Sequence, residues 1–187
     1  MNWNTTKRCV AALAALLTIV AIGPTALAGD EQPCEPGWVP TFGGVQELND
    51  VVRSVATFDD GNGVALYAAG DFTRAHTTSA NHIAKWNGET WSALGVGTDA
   101  PIYSMAVFDD GTGPALYVGG QFTTAGGVPA QRIAKWDGTT WSSLGDGFTI
   151  NIVNALEVFD DGTGPALYAG GLYITTGGIP TQAGKVA

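Results

Sequence analysis

Adjacent aspartates occur three times in this sequence of 187 residues, each time within the pattern Phe-Asp-Asp-Gly-x-Gly. Acidic residues in a glycine-containing loop suggest a calcium site, because Ca²⁺ takes roughly six to eight oxygen ligands. A calcium loop usually spaces its acids at alternate positions and ends in a bidentate glutamate, and neither feature is present here. We therefore expect structural turns and no bound calcium. The aspartates concerned are Asp59, Asp60, Asp109, Asp110, Asp160 and Asp161.

Two histidines, His76 and His82, are the other side chains that could hold a metal. They lie in one loop together with Arg74, and no third ligand is apparent, whereas a zinc site has three or four protein ligands. At the matching positions of the next repeat stand Gly126 and Arg132, so the histidines depart from an otherwise regular pattern. We expect an exposed polar loop without a metal, and we retain Arg74, His76 and His82 as a candidate ligand-binding loop.

Motifs of catalytic centres are missing from the sequence. Residues 43–46 and 124–128 are rich in glycine but lack the lysine and the helix that a phosphate-binding loop needs. Asp99, Asp146 and Glu157 do not form a spaced carboxylate pair of the glycosidase kind that sequence alone could identify. We expect no catalytic residue, no cofactor and no enzymatic activity. A hydrolase or lyase remains an alternative, and it would need the loop with the histidines.

A long repeat carries these residues. Phe58, Phe108 and Phe159 open nearly identical segments 50 and 51 residues apart, and IAKWNGETWSALG at 83–95 returns as IAKWDGTTWSSLG at 133–145. A fixed period of this length indicates a repeat architecture. Each unit reads as four short strands rich in β-branched and aromatic residues and bounded by Gly, Asp and Pro. In the second unit the strands are predicted at 104–108, 115–120, 132–136 and 140–145.

The joints between the strands favour hairpins. Asn87-Gly88 and Asp137-Gly138 stand between the third and fourth strands, where a two-residue turn would require positive φ. The link between the second and third strands, 123–131, is predicted to be the longest loop. Four antiparallel strands in each unit of about 50 residues are typical of β-propeller blades, in which glycine pairs such as 119–120 and 170–171 let neighbouring sheets approach. A β-solenoid is the alternative, but its repeats are usually shorter.

The double glycine after the second strand and the tryptophans downstream resemble kelch-type propellers. The segments FDDGTGPALYVGGQFT and IAKWDGTTWSSLG more closely resemble secreted bacterial proteins built from tandem copies of such units, over residues 38–187. The resemblance implies a non-catalytic extracellular scaffold or binding protein. The sequence departs from the kelch pattern in having no Tyr between Gly120 and Trp136. The Tyr, His and Cys copper ligands of galactose-oxidase-like relatives have no match here.

The N-terminus has the layout of a secretory signal peptide. Lys7 and Arg8 precede the apolar run 10–22, Pro24 follows, and Ala26-Leu27-Ala28 supplies small residues for cleavage. The run is too short for the roughly 20 apolar residues of a membrane span. We expect a secreted or periplasmic protein without a membrane segment after cleavage. The predicted divisions are a signal peptide at 1–28, a linker at 29–37 and repeats at 38–187, with units near 52–97, 102–147 and 153–187.

The charge balance restricts the partners. The sequence has 17 Asp and Glu against 8 Lys and Arg, and cleavage would remove two of the basic residues. Nucleic-acid binding needs a basic surface, so we expect no nucleic-acid partner. Cys34 would be the one cysteine left after cleavage, and a bond to another chain is the alternative to a free thiol.

The repeat count does not close a ring. Residues 38–43 match a fourth strand, and the third unit stops before its own fourth strand. Three blades are too few for a closed propeller, which has about four to eight. A truncated product, an open arc and a head-to-tail homodimer whose spare strands complete each other's last blade all remain open.

The functional prediction is a non-catalytic exported scaffold or protein-interaction module. Its partner is predicted to be a protein or a glycan. A carbohydrate-binding, lectin-like propeller is the alternative, in which exposed tryptophans would stack on sugars. Because the tryptophans keep strict places in the repeat, we expect them to pack between blades instead. A truncated product with no independent function is the third possibility.

Overall fold

The computed structural model describes residues 48–145, 147, 152–172 and, for the backbone alone, 184–185. The described part is all-β, as predicted, and contains no helix. The predicted signal peptide, linker, spare strand 38–43 and Cys34 lie outside the described residues. The strands are β1 (Val52–Asp59), β2 (Val64–Gly70), β3 (Arg74–Ala75), β4 (Thr78–Ser79), β5 (Ile83–Trp86), β6 (Trp91–Ala93), β7 (Ile102–Asp109), β8 (Pro114–Gly120), β9 (Thr124–Ala125), β10 (Val128–Pro129), β11 (Ile133–Trp136), β12 (Trp141–Ser143), β13 (Ile152–Asp160), β14 (Pro165–Leu172) and β15 (Gly184–Lys185).

Each repeat forms one antiparallel, blade-like sheet. Sheet 1 has the order β1-β2-β5-β6, and sheet 2 has the equivalent order β7-β8-β11-β12. Sheet 3 contains β13-β14-β15 in the described residues, with Lys185 paired to Tyr168 as Lys135 is paired to Tyr117. None of the sheets closes into a barrel, and the arrangement is consistent with the predicted open propeller.

The loop between the third and fourth strands differs from the predicted two-residue turn. Trp86 pairs directly with Trp91, so four residues form the loop. The side-chain oxygen of Asn87 accepts hydrogen bonds from the amides two and three residues further on, at 2.9 and 2.8 Å. Asp137 does the same in sheet 2. The prediction was wrong because the Asn or Asp side chain closes a wider turn by bonding to the backbone.

The link between the second and third strands is more ordered than a long loop. It folds into a small hairpin in both complete repeats, β3-β4 in the first and β9-β10 in the second. Isolated bridges tie these hairpins to the preceding chain, Leu48 to Ala75 and Thr98 to Ala125. Two-residue strands carry little periodic signal, so the sequence pattern does not show them.

Neighbouring sheets are joined through their first strands. The Met105 amide on β7 donates a hydrogen bond to Ser54 Oγ on β1 at 3.1 Å. The Leu156 amide on β13 donates to Ser104 Oγ on β7 at 2.9 Å. The same serine position therefore links sheet 1 to sheet 2 and sheet 2 to sheet 3.

Apolar side chains fill the space between the sheets. Phe58 and Tyr67 of sheet 1 belong to one core cluster with Met105 and Val118 of sheet 2. An equivalent cluster joins sheets 2 and 3, and it contains Phe108, Tyr117, Ile133, Val153, Leu156 and Leu167. Each fully buried side chain of this size contributes about 1.5–3 kcal/mol relative to exposure. The repeated aromatic residues thus stabilise the contacts between repeats, as predicted.

The glycine pairs serve two different purposes. A Cβ on Gly119 would lie 3.1 Å from Val153 Cβ, so this glycine allows sheet 3 to approach, as predicted. A Cβ on Gly120 would lie 2.9 Å from Ile102 Cα in its own sheet. The same holds for Gly171, whose Cβ would lie 3.0 Å from Val153 Cα. The second glycine of each pair is therefore needed where the first strand of its own sheet bulges.

Candidate functional site

The first strand of every sheet contains a β-bulge at the same place. Arg53 is the extra residue between Val52 and Ser54 in β1, because those two neighbours face consecutive residues of β2. Tyr103 occupies the bulge of β7, and Asn154 occupies that of β13. Bulges re-aim a side chain and are common next to functional sites. The backbone feature repeats, while the side chain on it is different in each sheet.

The three bulges converge on one groove. The groove is shallow and largely open to solvent, with a volume of about 550 Å³, and it crosses the beginnings of the first strands of all three sheets. Arg53, Tyr103 and Asn154 provide its polar groups, and the other lining residues are apolar. The lining residues are Val51, Val52, Arg53, Tyr103, Ile152 and Asn154. A repeated scaffold with unlike side chains at one shared groove is the arrangement expected of a specific binding surface.

Arg53 is held in place by two neighbours. Its Nε and Nη2 atoms donate to the two carboxylate oxygens of Asp71, each at 2.6 Å. The guanidinium carbon lies 4.7 Å from the centroid of the Tyr103 ring, within cation–π range. Hydrogen bonding from Arg53, together with the charge of its guanidinium, lowers the pKa of Asp71. The pair is fixed and ionised, which suits binding and gives no acid or base that titrates near neutral pH.

The candidate loop with Arg74, His76 and His82 has a backbone explanation. His76 has φ of 51° and His82 has φ of 66°, and both values lie in the left-handed region. Gly126 and Arg132, at the equivalent positions, have φ of 60° and 67°. Histidine tolerates this region better than most residues. His76 and His82 thus lie at positions where the fold requires a left-handed backbone conformation.

None of these three residues lines the groove. Arg74 and His76 are exposed on the β3-β4 hairpin, and the Arg74 amide donates to Asn49 Oδ1 at 2.8 Å. His82 contributes electrostatically to the lowered pKa of Asp71, the partner of Arg53. Within the described residues no three His, Cys, Asp or Glu side chains are grouped as metal ligands.

The first aspartate of each acidic pair closes its own turn. Asp109 Oδ1 accepts hydrogen bonds from the amides of Gly111 and Gly113 at 2.8 and 3.0 Å. Asp59 and Asp160 make the equivalent bonds in the other two repeats. These contacts support the interpretation of the pairs as structural turns.

The second aspartate connects three strands. Asp110 Oδ2 accepts from Lys135 Nζ at 2.7 Å and from Tyr117 Oη at 2.8 Å. These bonds, together with one from Thr112, lower the pKa of Asp110, with Lys135 the largest cause. Burial and the bond to Asp110 raise the pKa of Tyr117. In sheet 1 Asp60 contacts Lys85 and Tyr67 in the same way. These carboxylates therefore stabilise the fold by joining a turn to two neighbouring strands.

The four tryptophans in the described residues are packed against the sheets, three of them buried. Trp91, Trp136 and Trp141 are buried, and Trp86 is half-buried. Trp141 Nε1 donates to the Leu94 carbonyl at 2.8 Å, which ties sheet 2 to the chain after sheet 1. The stacking platform that the carbohydrate alternative requires is therefore not provided by these four residues.

The sequence does not predict the groove at the three bulges, called the bulge groove below. Arg53, Tyr103 and Asn154 stand at one position of the repeat as three unlike residues, and this variation is the sequence signal that could have indicated the groove.

No helix of the described part has the length and apolar character needed to cross a bilayer. Comparisons of the chain with models of known protein families, with curated proteins and with solved structures found no match.

Proposed function

We propose that this chain is an exported, non-catalytic scaffold or interaction module that binds a partner protein at the bulge groove. The observation that carries the proposal is the convergence of Arg53, Tyr103 and Asn154 from three sheets on one groove. An aromatic ring, a fixed guanidinium and an exposed carboxamide are groups that bind polypeptide surfaces well. Export is supported by the signal-peptide layout of residues 1–28.

The non-catalytic character is supported by the contacts of the aspartates, which are engaged in ion pairs and hydrogen bonds within the chain. Asp71 is ionised and paired with Arg53, and its lowered pKa leaves it poorly suited to general acid catalysis at neutral pH. The aspartates of the turns are similarly engaged with lysines, tyrosines and backbone amides. Catalysis instead favours groups whose pKa lies near the working pH.

The experiment compares groove variants with a matched control. Asn154→Arg and Tyr103→Ala alter the groove. Asn62→Arg is the control for Asn154→Arg, because it makes the same substitution in the exposed turn between β1 and β2, outside the groove. Proteins from the extracellular fraction of the source organism would be captured on each immobilised variant and quantified by mass spectrometry. We expect a partner that is retained by the wild-type protein and by Asn62→Arg and is lost on both groove variants.

The partner would then be purified and its affinity measured by calorimetry. A loss of about tenfold or more with Tyr103→Ala is expected if the ring lies in the contact. A partner bound equally by all variants would contradict the groove as the binding surface. Binding to a glycan array that Tyr103→Ala abolishes would favour the carbohydrate alternative. Turnover of a substrate would rule out the non-catalytic proposal.

A further inference from the structure

The contact between successive sheets is made twice by equivalent residues. We call the surface that a sheet presents to the following sheet its trailing face, and the surface that receives the preceding sheet its leading face. The trailing faces of sheets 1 and 2 are formed by Phe58, Ala65 and Tyr67 and by Phe108, Ala115 and Tyr117. The leading faces of sheets 2 and 3 are formed by Ile102, Met105 and Leu116 and by Val153, Leu156 and Leu167.

Within the described residues, one face of each kind has no sheet against it. Val55, on the leading face of sheet 1, is 61% exposed, whereas its equivalents Met105 and Leu156 are 8% and 6% exposed. Phe159, on the trailing face of sheet 3, is 59% exposed, whereas Phe58 and Phe108 are 3% and 8% exposed. At both positions the equivalent side chains are buried by a neighbouring sheet, so these two faces are the ones that a further sheet would cover.

The free trailing face is already arranged for the contact. The rings of Phe159 and Tyr168 lie 6.0 Å apart at 66°. The equivalent pair in sheet 2, Phe108 and Tyr117, lies 5.9 Å apart at 60°, and the pair in sheet 1 lies 5.7 Å apart at 55°. A preformed surface loses little conformational freedom on binding.

We propose that the trailing face of sheet 3 binds the leading face of sheet 1 of a second copy of this chain, head to tail. The two free faces are complementary because the same pair of faces is joined twice inside each chain. Two copies with three sheets each would supply a number of sheets within the range of about four to eight that closed rings contain. A head-to-tail contact forms a ring where its rotation closes.

One difference makes this contact weaker than the internal ones. Ala155 occupies the position at which Ser54 and Ser104 accept an amide hydrogen bond from the next sheet. At the proposed contact the Val55 amide of the second copy would therefore find no hydroxyl. Restoring the hydroxyl with Ala155→Ser should strengthen the association about fivefold, the size of one net hydrogen bond.

The test uses sedimentation velocity on the purified protein across a concentration series. We expect the wild-type protein to associate reversibly, with a dissociation constant that Ala155→Ser lowers. Val55→Asp and Phe159→Asp should each weaken the association about a hundredfold or more, because each places a charge in an apolar contact. Val64→Asp is the matched control, since Val64 is exposed and its equivalents Pro114 and Pro165 are exposed in the other sheets as well.

Mixing the two disrupted variants distinguishes the head-to-tail contact, between unlike faces, from a contact between two like faces. Val55→Asp keeps its trailing face and Phe159→Asp keeps its leading face, so the mixture should form a heterodimer although each variant alone is monomeric. Circular dichroism would show that all variants are folded. A wild-type protein that stays monomeric up to roughly 0.5 mM overturns the proposal. A dimer joined through two like faces, in which one of the two variants still dimerises alone, overturns it as well.

Discussion

Three equivalent phenylalanines allow one substitution to be compared at three levels of burial in the same chain. Phe58 and Phe108 lie in the cores between sheets, at 3% and 8% exposure, and Phe159 lies on the free face at 59%. Replacement of a buried phenylalanine by alanine costs about 3–5 kcal/mol, because both the transfer free energy and the packing around the lost ring are forfeited. Phe58→Ala and Phe108→Ala should therefore lower the free energy of unfolding by this amount.

Phe159→Ala should cost less than about 1 kcal/mol under the same conditions, because more than half of the side chain is already in water. The measurement is urea unfolding at dilute protein concentration, followed by far-UV circular dichroism and by tryptophan fluorescence. Dilution keeps association between copies from adding to the stability. Each variant would be compared with the wild-type protein for both the midpoint and the slope of the transition.

Equal losses for all three variants would refute the reasoning, since it would mean that Phe159 is as well packed as the two internal rings. A cost at Phe159 that grows with protein concentration would instead be the behaviour expected of the proposed contact between copies. The three substitutions therefore test the burial pattern at low concentration and the proposed contact at high concentration.

Three further outcomes are expected. Ser104→Ala should lower the free energy of unfolding by about 1–3 kcal/mol in urea titrations, because the Leu156 amide loses its acceptor; no measurable loss would contradict the role of this bond. His82→Gly should be tolerated and His82→Val should lower the thermal midpoint, because φ is 66° at this position and a β-branched residue is strained there. The reverse order would show that the imidazole matters more than the backbone. The lowered pKa of Asp110 and the raised pKa of Tyr117 predict a stability plateau over roughly pH 5–9. The Asp110 contribution is present above the ordinary carboxyl pKa and is lost as the pH falls through the folded value, and the Tyr117 contribution is present below about pH 10 and is lost as the pH rises further. Urea titrations across pH would check this, and Tyr117→Phe should reduce the alkaline decline.

Local chemistry made most of the fold predictable. The strands at 104–108 and 115–120 are predictable because short β-rich segments are bounded by an Asp-Asp-Gly turn. The structure extends the first by two residues at its start and one at its end, and the second by one residue at its start. The sequence predicts a loop at 123–131 because the two-residue strands β9 and β10 are too short to show alternation. The turn after Trp86 was predicted two residues too short, since the bonds of the Asn87 side chain cannot be inferred from its identity alone.

The candidate site was much less predictable. His76 and His82 are candidates because they interrupt the repeat, but the left-handed backbone at both positions explains why these residues occur there. Arg53, Tyr103 and Asn154 also differ among repeats, but only the bulges and the packing of three first strands bring them together.

The sequence by itself determined the repeated sheet, because strand propensity, turn residues and apolar pattern act over a few neighbouring residues and recur in every unit. The tertiary structure decided which faces of the sheets pack against one another and which stay exposed. It placed three unlike side chains in one groove, and it left Val55 and Phe159 exposed although their equivalents are buried. The physical reason is that burial depends on which surface lies opposite. Equivalent residues are therefore buried in a core between two sheets and exposed where no described sheet lies opposite.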